Sequence, residues 1–210
     1  MNLCLLADVK TLLDIADTSQ DAKLALLGRR VSGQIRQELN YNPVWTSYVG
    51  ERHAVNNRQL LQLGAQPIQS ISSITIDGIA IPDFEPVGAD PDNDAAGLVY
   101  RGVGWCGNWY TRGLENDPVA GFHSILVSYV GGWHLPGDPD YEEDDPGSLP
   151  DSLAQAAIQA TCEAFNILES GGVGMQDHNE GKVKDTFRAD AGLSQTVLDM
   201  LSPFKRTAVA

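Results

Sequence analysis

The apolar positions of the chain fall into three successive regimes. In the first, Leu24, Leu27, Val31, Ile35 and Leu39 return at steps of three and four, the spacing that places side chains on one side of an α-helix. Thr18-Ser19 supplies a capping signal before this helix, and Asn40, Asn42 and Pro43 end it, since proline has no backbone N–H to donate. A shorter helix is predicted ahead of it at 7–15. From Val44 to about Trp133 the period changes to two. Strands are predicted at 58–63, 70–81, 98–101 and 124–129, with Ile71, Ile74 and Ile76 before an Asp77-Gly78 turn and Ile79 and Ile81 after it, a hairpin signal. Helical spacing resumes at 151–168, with Asp151 as N-cap after Pro150 and Leu153, Ala157, Ala160, Ala164 and Leu168 along one side. The alanines allow another helix to approach closely. Gly171 to Gly174 stops this helix, and a last short one is predicted at 193–201, ending at Pro203.

The order helices, strands, helices predicts an α+β fold. Residues 1–43 and 149–210 supply a small helical bundle, in which the helix at 21–39 packs on the helix at 151–168. Residues 44–148 form an inserted antiparallel β-sheet region carrying acidic loops, so that one composite domain results. No internal repeat is evident.

Composition narrows the function classes. The chain of 210 residues is 42% hydrophobic, enough for a real core. Its formal net charge of −14 opposes sequence-independent binding of nucleic acid, which depends on Lys and Arg displacing counterions from phosphates. The acidity is concentrated: 77–145 holds fourteen Asp and Glu against Arg101 and Arg112, whereas the first forty residues carry five acids and five bases. Cys4, Cys106 and Cys162 are scattered, which suggests neither a disulfide framework nor a zinc site, and a reducing cytoplasm is the expected setting. Charges appear too early for a signal peptide, and no apolar run is long enough for a membrane span.

Candidate chemistry is sparse. His53, His123, His134 and His178 share no metal-ligand spacing and read as surface or packing histidines. Asp138, Asp140, Glu142, Glu143, Asp144 and Asp145 lack the ligand order of an EF-hand and read as a solvated acidic loop, with a calcium-binding module as the alternative. The glycine runs at 102–104 and 171–174 do not fit a phosphate loop, and Cys106 has no partner that would activate its thiol. A carboxylate-dependent hydrolase using Asp77 and Asp117 would need paired acids in a cleft, which no spacing supports. No enzyme activity, metal or cofactor is expected. Trp105, Trp109 and Tyr110 on a glycine-rich loop, and Trp133 beyond it, have two readings: they cap the core, or they anchor a subunit interface.

Several phrases in order carry a family resemblance. They are Leu5-Leu6-Ala7-Asp8 through Leu12-Leu13 at the start, and Asn40-Tyr41 after the second helix. Leu61-Gln62-Leu63 then precedes Pro67-Ile68 and the run to Gly78. Further on come Tyr129-Val130-Gly131-Gly132-Trp133, Leu149-Pro150-Asp151-Ser152-Leu153, and the closing Leu198 to Arg206. Together they resemble the head–tail connector (adaptor) family of lambdoid-type siphoviruses over nearly the whole chain. The segments 82–121 and 137–147 are longer than in compact members.

The resemblance implies a structural, homo-oligomeric ring, a dodecamer, in the virion neck of a bacteriophage, made in the host cytoplasm. Its partners would be the portal protein and a tail-side neck or stopper protein, with genomic DNA crossing the ring unbound during genome ejection and no membrane involved. A tail-completion or stopper role in the same neck is the alternative. On this reading Leu201, Pro203, Phe204, Lys205 and Arg206 are candidates for portal binding during viral assembly, and Trp105, Trp109, Tyr110 and Trp133 for the subunit interface. Glu142, Glu143, Asp144 and Asp145 are candidates for a channel-facing acidic rim that repels DNA phosphates.

Overall fold

A computed structural model describes residues 2–55, 58–87, 97–105, 124–142, 145–170, 178–180, 183–185 and 192–206. The fold is α+β and divides into two compact units. One comprises Met1–Asn40 with Leu135–Lys205, the other Tyr41–His134 with Arg206–Ala210.

The helix unit is built from α1 (Leu6–Leu12), α2 (Asp21–Leu39), α3 (Asp151–Glu169) and α4 (Gln195–Leu201). Leu24, Leu27, Val31, Ile35 and Leu39 are all buried, and α2 packs along α3 as this stripe requires. The buried side of α3 runs through Leu153, Ala156, Ala157, Ala160, Thr161 and Phe165. It leaves Leu168 exposed, because a helix advancing 100° per residue rotates the predicted stripe away from the core near its end. Pro150 occupies the N-cap of α3 and Asp151 its first turn, where a carboxylate complements the helix dipole. α1 stops earlier than its apolar spacing predicts. Asp14 takes a left-handed conformation (φ 54°) just beyond it and turns the chain. α2 ends on Asn40, also left-handed, a C-terminal stop that asparagine tolerates. Ser194 caps α4 by accepting the Val197 N–H at 3.3 Å.

In the sheet unit, β1 (Thr46–Ala54), β7 (Ser124–Gly131), β3 (Ile68–Ile76) and β4 (Ile79–Ala80) form one antiparallel sheet in the order β1-β7-β3-β4. β2 (Leu60–Gln62), β6 (Leu98–Tyr100) and β5 (Glu85–Val87) form a second, in the order β2-β6-β5. One core lies between them, made of Leu61, Leu63, Ile74, Ile76, Val99, Trp105, Ile125, Val127 and Tyr129. The two-residue turn at Asp77 and Gly78 has both residues at positive φ, as a tight hairpin requires. In the helix unit, β8 (His178–Glu180) and β9 (Val183–Asp185) pair as a short hairpin. Among the described residues no helix is long and apolar enough to cross a membrane.

The Tyr-Val-Gly-Gly phrase has a steric cause. A Cβ on Gly131 would stand 2.9 Å from the Ala65 side chain, and one on Gly132 would stand 2.3 Å from the Val44 carbonyl. Gly132 also sits at φ 94°, so only glycine lets the chain leave β7 past Val44.

Candidate functional site

The aromatic candidates divide. Trp105 is 0% exposed, and its indole N–H donates to the carbonyls of Gln59 (3.1 Å) and Val99 (3.2 Å). It fills the core between the two sheets and has no face left for a neighbouring subunit. Of its two readings this burial supports the core one: a large apolar ring with its one donor satisfied by backbone belongs inside. Trp133 is buried as well, tilted against the Tyr41 ring at 6.4 Å. Trp109 and Tyr110 lie outside the described residues.

The acidic loop keeps its charge at the surface. Glu142 and Asp145 are exposed, and Glu143 and Asp144 lie outside the described residues. The loop is shaped by its own acids: Asp138 accepts the Leu135 N–H at 2.9 Å and Asp145 accepts the Gly147 N–H at 2.6 Å. Among the described residues no three His, Cys, Asp or Glu converge as metal ligands would. Asp77 is occupied in its turn, accepting the Ser124 N–H at 3.2 Å, and Asp117 lies outside the described residues.

The closing segment is tied to the protein's own fold at several points. Leu201 is wholly buried and supports the helix unit. Pro203 is exposed and Phe204 half-buried. Lys205 pairs with Glu38 at 2.9 Å. Arg206 donates to the Leu63 carbonyl and lies over the Tyr41 ring, 5.7 Å from its centroid. Burial draws its guanidinium below the usual arginine value, against the opposing pull of Tyr129, Tyr41 and Glu51.

The neighbourhood of Arg206 contains a polar cluster that the apolar patterning does not reveal. Glu51, on β1, accepts the Tyr129 hydroxyl and the Gly64 N–H (2.9 Å), and His53 Nε2 stands 2.9 Å from the same carboxylate. The Tyr129 hydroxyl in turn accepts the Ala65 N–H at 3.1 Å. The Tyr48 ring stacks on Tyr129 at 4.7 Å, and its hydroxyl takes a hydrogen bond from the Asn42 amide at 3.0 Å. Burial pushes the Glu51 carboxyl up, but the bonds from His53, Tyr129 and Gly64 outweigh it and hold it below the usual carboxylate value. Burial and the bond to Glu51 push the Tyr129 hydroxyl up. The bond between them thus favours the carboxylate of Glu51 and the neutral phenol of Tyr129. The available signal was the alternation Ile125, Val127, Tyr129: the buried face of β7 has to carry a hydroxyl, which needs a partner.

No protein-family model matches the chain, and no curated protein matches it. Among solved structures it is similar to a chain in the neck of an empty GTA particle computed with C6 symmetry. The TM-score is 0.52 at 14% identity, over 99% of this chain and 92% of that one. Chains in the virion of a native gene transfer agent particle (TM-score 0.49, 12% identity, 99% and 92% covered) and in a native GTA neck computed with C12 symmetry (0.47, 12%, 100% and 96%) are also similar.

The first of these likenesses is one of fold, extending across helix and sheet units alike. Against that fold, both free thiols among the described residues are packing groups. Cys4 lies 3.9 Å from the Thr161 hydroxyl and Cys162 4.0 Å from the Val9 carbonyl, and burial raises both thiols above their usual value.

Proposed function

We propose that the chain is a structural subunit of a virion neck, the head–tail connector or adaptor of a tailed phage or phage-like particle. The observation that carries this reading is the fold likeness to a chain of a GTA neck over 99% of the sequence. The ordered phrases from Leu5 to Arg206 support it independently, because they resemble the adaptor family over the same span. The role is one of holding partners together: copies of itself in a ring, the portal protein on one side and a tail-side neck protein on the other. A ring of twelve satisfies C6 symmetry, the symmetry with which that neck was computed.

DNA passes such a ring without being gripped, a role suited to a net charge of −14. The exposed Glu142 and Asp145 sit on a loop whose acids would repel phosphates at the channel rim. Neutralising 142–145 together is then expected to slow or stall ejection, and a ring with this loop on its outer wall would refute that role. Of the closing residues, Pro203, Phe204 and Lys205 are the ones with surface to offer the portal, since Leu201 and Arg206 are held internally.

The test is the mass of the purified chain alone and with portal protein, by sedimentation or native mass spectrometry. A ring that binds portal supports the proposal. A chain that stays monomeric under both conditions overturns it.

A further inference from the structure

The helix unit presents two outward faces of opposite character. On α1 and its N-cap, Leu5, Asp8 and Leu12 recur at steps of three and four, and all are exposed, Leu12 at 58%. The exposed Asp14 follows directly. On α2, Ala22, Leu26, Arg29, Arg30 and Gly33 form the outer side, and Leu26 is 64% exposed.

Three lysines of the unit have acidic partners within it. Lys10 is held by Asp21, Lys23 by Glu169 and Lys205 by Glu38. Arg29 and Arg30 pair with none of the described residues, although they belong to a chain with twice as many acids as bases, 28 against 14. An exposed leucine beside two unmatched cations contributes little to the fold that carries it.

We propose that the outer face of α2 on one copy receives the outer face of α1 on the next, with Leu26 against Leu12 and Arg29 and Arg30 against Asp8 and Asp14. This rests on the ring reading above and says which surfaces close the ring. Copies that each carry a net charge of −14 repel one another, so association needs local attraction of opposite sign, and these two faces supply it. The small residues Ala22 and Gly33 border the contact and let a second helix come close. The charge pattern also selects the symmetry. Pairing α2 with α2 about a two-fold axis would set Arg29 and Arg30 against themselves, whereas α2 against α1 leaves a free face at each end and so continues around a ring.

The experiment uses the full chain in four forms: wild type, Arg29→Glu with Arg30→Glu, Asp8→Lys with Asp14→Lys, and all four substitutions together. Assembly is read by native mass spectrometry and sedimentation, alone and with portal protein, and helical circular dichroism confirms folding, since all four side chains are exposed. Each double variant is expected to weaken assembly about tenfold or more, and the combined variant to restore it by reversing both sides. Double variants that assemble like wild type would overturn the proposal and leave the ring reading standing. So would loss in both double variants with no recovery in the combination, because the two faces would then not meet each other. A wild-type chain that never assembles, even with portal protein, would overturn the ring reading itself and this contact with it.

Discussion

Replacing Trp105 by alanine tests where the sheet unit keeps its stability. The side chain is 0% exposed, sits in the cluster shared by both sheets, and satisfies its single donor on the Gln59 and Val99 carbonyls. Truncating a buried aromatic to alanine costs about 3–5 kcal/mol, as lost transfer energy plus an unfilled cavity. For a domain of this size each kcal/mol moves the melting temperature by about 4 °C or more, so Trp105→Ala is expected to lower that of the sheet unit by at least about 12 °C. Trp105→Phe keeps most of the ring but gives up the hydrogen bonds, worth about 1 kcal/mol net, and should fall between. Near-ultraviolet circular dichroism during heating reads the sheet unit, and the signal at helical wavelengths reads the other unit in the same sample. A Trp105→Ala variant that melts within about 2 °C of wild type, yet fails to assemble, would place the indole at an interface and refute its assignment to the core.

Glu51 gives a pH-dependent prediction. Its carboxyl is held below the ordinary value of 4.5, so it contributes stability that is fully present above that value and is lost as pH falls through the lowered one. Glu51→Gln is expected to be less stable than wild type near neutral pH, with the gap closing in more acidic solution; urea unfolding across that range checks it, and a constant gap would refute it. Gly132→Ala combines a positive φ with a clash at 2.3 Å and is expected to abolish soluble folding or lower the melting temperature sharply. Gly50→Ala, at φ 66° with open space around it, should cost only about 1–2 kcal/mol, and equal losses for the two would contradict the role given to Val44.

The helical periodicity was legible because burial follows it: each residue of the α2 stripe is in the core. The Asp77-Gly78 hairpin was legible because its backbone demands those residue types. β1 was hidden within the broad strand region, since Gly50 and a shift of register between Tyr48 and Glu51 break the alternation a strand normally shows. Trp105 was ambiguous for a different reason. A tryptophan among glycines looks like a loop residue until the second sheet, made of three-residue strands too short to leave a pattern, closes over it. Arg206 and Glu51 lie 155 positions apart, and an association of that kind carries no periodic signal at all. The segment 131–150 reads as a surface loop from its glycine, proline and acids, yet Leu135, Ser148 and Leu149 are buried.

The proposed role is that of a ring-forming neck subunit. Electron microscopy of assembled particles tests it most directly, once the chain carries a small tag in the exposed Asp77-Gly78 turn. A ring of neck subunits gives tag density repeated around the neck between portal and tail, twelve times. Tag found on the capsid shell or along the tail tube, or absent from the particle, would contradict it.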